Sequence, residues 1–259
     1  MNNIFNSLTA EEIILTEYLK DYKDGMKFFH DELTTLNVNI FIINKIRKFP
    51  FDVFCEPYDW TFFYMVINNI FEYSIIIISR LFKDTGIDCF TLPKFTNKII
   101  SKYIKPGYRK DLTDRIKEVN FKNLTDDILN RIYDLRKKRI AHNLEYFIKD
   151  PKNIGRINYD ELEKLRDRAN QLFENLSFGI KYIMVLLPYY EEVIHPKGSD
   201  PRTDIERILD SVAKESAFLN YPEKNIKFPI LWDNRKKRMT KREIDIFYKY
   251  REKLGFPKI

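Results

Sequence analysis

The chain has 259 residues, among them 21 Phe, 16 Tyr and only 7 Gly, with 45 Lys and Arg against 38 Asp and Glu and a net charge of +7. So many bulky side chains and so few glycines argue against a turn-rich β fold and favour an all-α one, long enough for one large domain or a core domain with an extension. The positive surplus admits a polyanionic partner without requiring one.

The start, Met1 to Ser7, has no basic region followed by an apolar run, so no signal peptide is expected and the protein reads as cytoplasmic. Thr9-Ala-Glu-Glu12 is a capping box, in which hydroxyl and carboxylate satisfy the orphan N–H groups of a helix start. A long helix is predicted from there to about Lys48, with a break near Thr34–Asn37. Val38 to Ile43 is β-branched, but length and the lack of turn signals favour helix over strand. His30, beside Phe28 and Phe29, reads as structural.

Pro50 and Pro57 bracket a connection, after which Trp60–Phe82 is the most apolar segment. It is long enough to span a bilayer. With Asn68, Asn69 and Glu72 in its middle it reads as the central helix of a bundle, and no membrane contact is expected. Residues 84–120 form an insertion, with short helices at Pro93–Ile104 and Arg109–Val119 split by Lys105-Pro-Gly107. Its cations, Lys94, Lys98, Lys102, Lys105, Arg109 and Lys110, either guide RNA or make a solvated surface.

A helix at Thr125–Asn143 follows, then a loop over 148–158 and a capping box at Asn158 and Glu161. The helix after that box is apolar from Phe178 to Leu187 and is expected to run to about Pro188. His195 lies in a loop-like stretch and reads as incidental. The prolines and glycine of His195–Pro201 mark a boundary between a helical bundle, 1–195, and a basic helical C-terminal extension, 196–259. The extension holds a helix at Thr203–Phe218, then Arg235, Lys236, Lys237, Arg238, Lys241 and Arg242, and a last helix capped by Thr240 and Glu243. Cations between the irregular aromatic stretch Tyr221–Trp232 and the aromatics Phe247, Tyr248 and Tyr250 suit RNA through phosphate contacts and base stacking, and equally a solvated or partner-binding tail.

Cys55 and Cys89 lie far apart, no C-x-x-C occurs, and the three histidines have no zinc spacing. Reduced thiols and no metal or other cofactor are the expectation. No phosphate-cradling glycine loop or serine-hydrolase motif is present.

Within the 125–143 helix, Ile128, Leu129, Ile132, Leu135 and Ile140 share one arc at about 100° per residue. Arg136 projects near the middle of that arc and His142 at its edge, close to the direction of Arg139, while Lys137 and Lys138 point away. A charge aimed at a core or an interface needs a partner. Two arrangements fit: Arg136 and Arg139 paired with carboxylates and His142 in a structural hydrogen bond, or an anion site in which a guanidinium fork holds phosphate and an imidazole exchanges a proton.

Arg136, five residues, then His142 resembles the R-x(4–6)-H signature of HEPN domains. Leu135-Arg-Lys-Lys-Arg-Ile-Ala-His142 is similar to the motif helix of bacterial abortive-infection (AbiU-type) HEPN proteins. The resemblance covers roughly residues 10–190. It implies a HEPN-like bundle and a metal-independent endoribonuclease, a toxin or antiphage-defence effector. It also implies a homodimer whose paired motif helices form the active site, and an antitoxin or other defence-system protein as partner. Arg136 and His142 are then catalytic. Arg139, Asn143, Lys137 and Tyr146 support them or bind RNA, and Asn69, Glu72 and Arg80 are candidates to orient the motif. Attack by the substrate's own 2′-hydroxyl, with His142 as base or acid and Arg136 stabilising the phosphoryl charge, needs no metal and leaves a 2′,3′-cyclic phosphate. Lys137 stands where many active HEPN motifs carry a small polar residue, which favours the alternative of a non-catalytic helical RNA- or protein-binding module.

Overall fold

The computed structural model describes residues 8–54, 60–83, 89–119, 121–136, 157–178, 203–215 and 233–256. Among these the fold is all-α, and the β pairing amounts to an isolated antiparallel bridge between Ile14 and Ile104. In chain order the helices are α1 (Ala10–Ile13), α2 (Leu19–Lys48), α3 (Phe51–Phe54), α4 (Thr61–Phe82), α5 (Leu92–Lys98), α6 (Arg109–Val119), α7 (Phe121–Leu135), α8 (Tyr159–Leu176), α9 (Asp204–Glu215) and α10 (Lys241–Lys253). The expected capping boxes at Thr9, Asn158 and Thr240 are all formed.

The chain divides into two compact units. The first comprises 1–40 and 71–187, the second 41–70 and 188–259, so the C-terminal segment shares a unit with 41–70. Both crossings, at 40/41 and 70/71, fall inside helices, α2 and α4.

In the first unit α2 buries Tyr22, Met26, Phe29, Leu33, Leu36 and Ile40, the three-and-four spacing of one helix face. They meet Ile75, Ile77, Ile78 and Leu81 of α4, Leu129, Ile132 and Leu135 of α7, and Leu162, Leu165, Leu172 and Phe173 of α8 in one core. The predicted break at Thr34–Asn37 does not occur, and α2 runs unbroken for 30 residues. The residues that argued for a break have partners instead: the Thr35 hydroxyl donates back to Asp31 O at 2.9 Å, and the buried amides of Asn37 and Asn170 pair at 3.0 Å.

The α8 helix stops at Leu176, well short of Pro188. The buried Tyr22 hydroxyl donates to Leu176 O at 2.7 Å and accepts from Phe178 N at 3.2 Å. A side chain from α2 thus serves the backbone groups that a continuing helix would have used.

The insertion belongs to this core. Phe95, Ile99, Tyr103 and Leu112 are buried in it. Residues 103–105 pair with 13–15 through Leu15 N to Tyr103 O at 2.8 Å and Lys105 N to Ile13 O at 2.9 Å. Gly25 lets Phe95 approach α2, since a Cβ there would lie 2.5 Å from the Phe95 ring.

The second unit has its own core of Ile46, Phe49, Phe51, Val53, Phe54, Phe63, Leu209, Ala213 and Phe247. Lys45 pairs with Glu206 at 2.7 Å and Lys253 with the buried Asp210 at 2.9 Å. The α4 helix is long and apolar enough to cross a membrane. It is not a central helix along its whole length: Ser74, Ile75, Ile77, Ile78 and Leu81 are buried in the first unit, while Phe62, Tyr64 and Met65, in the second, stand in solvent.

Candidate functional site

The α7 helix carries the motif arginine at its end. Leu129, Ile132 and Leu135 are buried and Ile128 packs beside them, as the helical arc predicts; Ile140 lies outside the described residues. Polar side chains fasten both flanks of this apolar stripe. On one flank Arg131 donates two hydrogen bonds to Glu161 of α8, at 2.7 and 3.2 Å, and reaches back one turn to Asp127 at 3.0 Å. Its hydrogen bonds hold the Glu161 carboxyl below the usual carboxylate range, and Glu161 raises the guanidinium in turn.

On the other flank Lys83 donates to Asn130, and its ammonium lies 5.3 Å over the Tyr133 ring. Arg136 comes next at the same three-residue spacing and donates from Nη1 to Ser79 Oγ at 3.0 Å. Moving up α7 therefore means moving down α4, and the two helices run antiparallel. Ser79 is fully buried and Arg136 half-buried, directly after the last residue of α7. A guanidinium has five N–H donors, and one of those of Arg136 serves this hydroxyl. The helix thus holds the arginine by its apolar neighbours and aims it along α4.

The other candidates divide. Glu72 is half-buried on α4, two turns before Ser79 and on the same face of that helix. Arg80 is engaged with Glu32 of α2 at 2.5 Å, a pairing that ties α4 to α2. Asn69 is exposed and belongs to the second unit. Lys137, Arg139, His142, Asn143 and Tyr146 lie outside the described residues. Ser79 is the contact that the sequence reading missed. Its signal was faint: a small hydroxyl at the end of an isoleucine run, seven residues after Glu72.

The two basic stretches differ in their surroundings. In the insertion Lys94 donates to Cys89 O at 3.2 Å, and Lys105 donates to Glu11 O and Glu12 O at 3.1 and 2.7 Å. Arg109 donates to Ser101 O at 3.1 Å. Lys98 lies 5.4 Å over Tyr103 and Lys102 4.8 Å over Tyr18. In the second unit Arg235 donates to Asp52 O at 2.7 Å. Lys236, Lys237, Arg238, Lys241 and Arg242 are exposed, and none has a side-chain hydrogen bond or ion pair among the described residues.

The aromatic side chains near that cluster do not stand ready for bases. Phe247 is fully buried, Tyr250 packs 4.7 Å from Phe54 and 5.9 Å from Phe49, and Tyr248 packs on the same core. This packing removes Phe247, Tyr248 and Tyr250 as stacking platforms; residues 221–232, the other aromatic stretch beside the cluster, lie outside the described residues.

Among the described residues no three of His, Cys, Asp and Glu converge as metal ligands would. His30 is half-buried, beside Asp31 at 3.3 Å and the Phe173 ring.

The sequence model of the HEPN family described as AbiU2 matches residues 54–192, more than half of the chain. No curated protein and no solved structure matches significantly.

Proposed function

The chain belongs to the AbiU2 family of HEPN proteins, and we propose on that premise that it is a metal-independent endoribonuclease acting in antiphage defence or as a toxin. The observation that carries the reading is Arg136, half-buried at the end of α7 and held there by a hydrogen bond to the buried Ser79 hydroxyl, six residues before His142 and inside the matched region.

In this reading His142 takes the proton of the ribose 2′-hydroxyl, and the 2′-oxygen attacks phosphorus. The 5′-oxygen leaves with a proton from an acid, either His142 or its copy in a second protomer. Arg136 stabilises charge on the phosphoryl oxygens, an interaction stronger in the transition state than in the ground state. Arg139 grips a neighbouring phosphate. The products are a 2′,3′-cyclic phosphate and a free 5′-hydroxyl, and DNA, which lacks the nucleophile, is not cut. A twofold pair of chains sets two motifs in one groove, and an antitoxin or other defence-system protein restrains them.

The test is incubation of the purified protein with total RNA in EDTA. His142→Ala and Arg136→Ala should each lose at least roughly a hundredfold in rate, the scale of a lost acid–base or charge-stabilising group, without unfolding the protein. Cleavage retained by both variants, or cleavage that needs Mg²⁺, overturns the proposal. Lys137, directly after Arg136, favours the second reading, a binding module without chemistry. RNA that is bound but left intact by the wild-type chain under all conditions selects that one.

A further inference from the structure

We propose that Lys236, Lys237, Arg238, Lys241 and Arg242 form a second RNA contact, a clamp on the phosphate backbone that ignores base identity. These residues lie outside the matched region 54–192, so the family match does not account for them. The choice of RNA among polyanions rests on the nuclease reading; the clamp itself rests on the following observations.

All five side chains are exposed, and none has a hydrogen bond or ion pair among the described residues. Their neighbours do not neutralise them. Glu243 is committed to the Thr240 cap, accepting from Thr240 N at 2.6 Å and Thr240 Oγ1 at 2.7 Å. Arg235, which donates to Asp52 O, is not counted among the five. Lys241 and Arg242 occupy the first turn of α10, where the helix macrodipole disfavours positive charge and folding stability alone would place acids. The cations are therefore held close together at some cost to the fold, without an internal partner to offset it.

The kind of partner follows from what surrounds them. Protein interfaces and membrane-binding helices add apolar anchors to their charges. No large hydrophobic residue among the described residues of 233–256 is exposed, because Phe247, Tyr248 and Tyr250 face the core. Among the described residues this is a surface of cations without exposed apolar anchors, and it fits a polyanion gripped by its phosphates, through release of condensed counterions. Such a contact supplies affinity and leaves sequence selection to the cleavage site.

The experiment uses the full chain and a short fluorescein-labelled 2′-O-methyl oligoribonucleotide, which lacks the attacking hydroxyl and cannot be cleaved by this chemistry. A DNA strand of the same sequence is the second probe. Binding is followed by anisotropy across a salt series. Changing Lys236, Lys237, Arg238, Lys241 and Arg242 together to Gln should weaken binding of both probes at least about tenfold at moderate salt. It should also reduce the slope of log affinity against log salt by about 3.5, at roughly 0.7 per lost single-strand phosphate contact. A companion variant with Lys94, Lys98, Lys102 and Lys110 changed to Gln should bind as the wild type does. Melting temperature checks that both variants fold.

Unchanged affinity and slope in the folded five-site variant overturn the proposal. So does binding to phosphatidylserine-containing vesicles with none to either probe. Because the probes are uncleavable, an inactive wild-type protein that still loses binding in the five-site variant keeps the clamp and sinks only the nuclease reading. Unchanged probe binding with intact RNA cleavage does the reverse.

Discussion

In the first unit the cations from Lys94 to Arg109 rest on carbonyl oxygens and aromatic rings. In the second unit those from Lys236 to Arg242 rest on nothing among the described residues. One residue beyond each range the behaviour reverses: Lys110 has no side-chain partner among the described residues, and Arg235 donates to Asp52 O. The two carry similar charge, so charge alone does not separate a scaffold from a binding surface. What separates them is whether the fold supplies acceptors. The insertion lies across the N-terminal segment, where α1 ends in orphan carbonyls that Lys105 reaches and Tyr18 presents a ring face to Lys102. The cluster before α10 follows a turn and meets a helix start, which offers N–H donors rather than acceptors.

This contrast makes opposite predictions for the same kind of substitution. The largest effect should come from loosening the insertion itself. Gly25→Val drives a side chain into the Phe95 ring, and overpacking should lower stability by about 2 kcal/mol, outweighing the small gain in helix propensity. Denaturant unfolding should show it, with the affinity for the uncleavable probe unchanged; a neutral result would mean that the insertion packs less tightly than described.

Lys105→Ala removes two charge-assisted hydrogen bonds to the end of α1 and should cost roughly 1 kcal/mol, also without effect on binding. The smallest effect has the other sign. Lys241→Glu with Arg242→Glu should stabilise the protein by roughly 0.5 kcal/mol, because acids suit a first helical turn, while binding to nucleic acid falls. If that pair destabilised the chain, the cluster would have a structural role and the contrast would fail.

Much of the fold could be read from local signals. The capping boxes at Thr9, Asn158 and Thr240 each need only residues three apart, and all three form. The errors arise where a distant residue decides. Thr34–Asn37 looked like a break because Asn170, which satisfies Asn37, lies 133 residues away. The end of α8 was set too late because the hydroxyl that takes over its last carbonyl belongs to Tyr22, 154 residues upstream.

The site shows the same division. That Arg136 points inward was legible from the helical arc. That it meets Ser79 was not, since a serine in an apolar run carries no directional signal. Arg80 was read as an aid to the motif, and its carboxylate partner, Glu32, lies on another helix. The basic residues at 235–242 were visible at once, but that Lys236, Lys237, Arg238, Lys241 and Arg242 have no side-chain partner among the described residues is a tertiary fact, as is the inward turn of Phe247, Tyr248 and Tyr250.

The chain's division into interleaved segments bears on its synthesis. The second unit takes 41–70 from within the span of the first, and its core includes Phe247. Neither unit is a contiguous stretch, so no single proteolytic cut and no simple truncation releases the second one whole. On the ribosome, Phe51, Phe54 and Phe63 wait for core partners that emerge much later in the chain, Leu209 and Ala213 first and then Phe247. A premature stop anywhere before α10 yields a product with an open core, ready for degradation rather than for work.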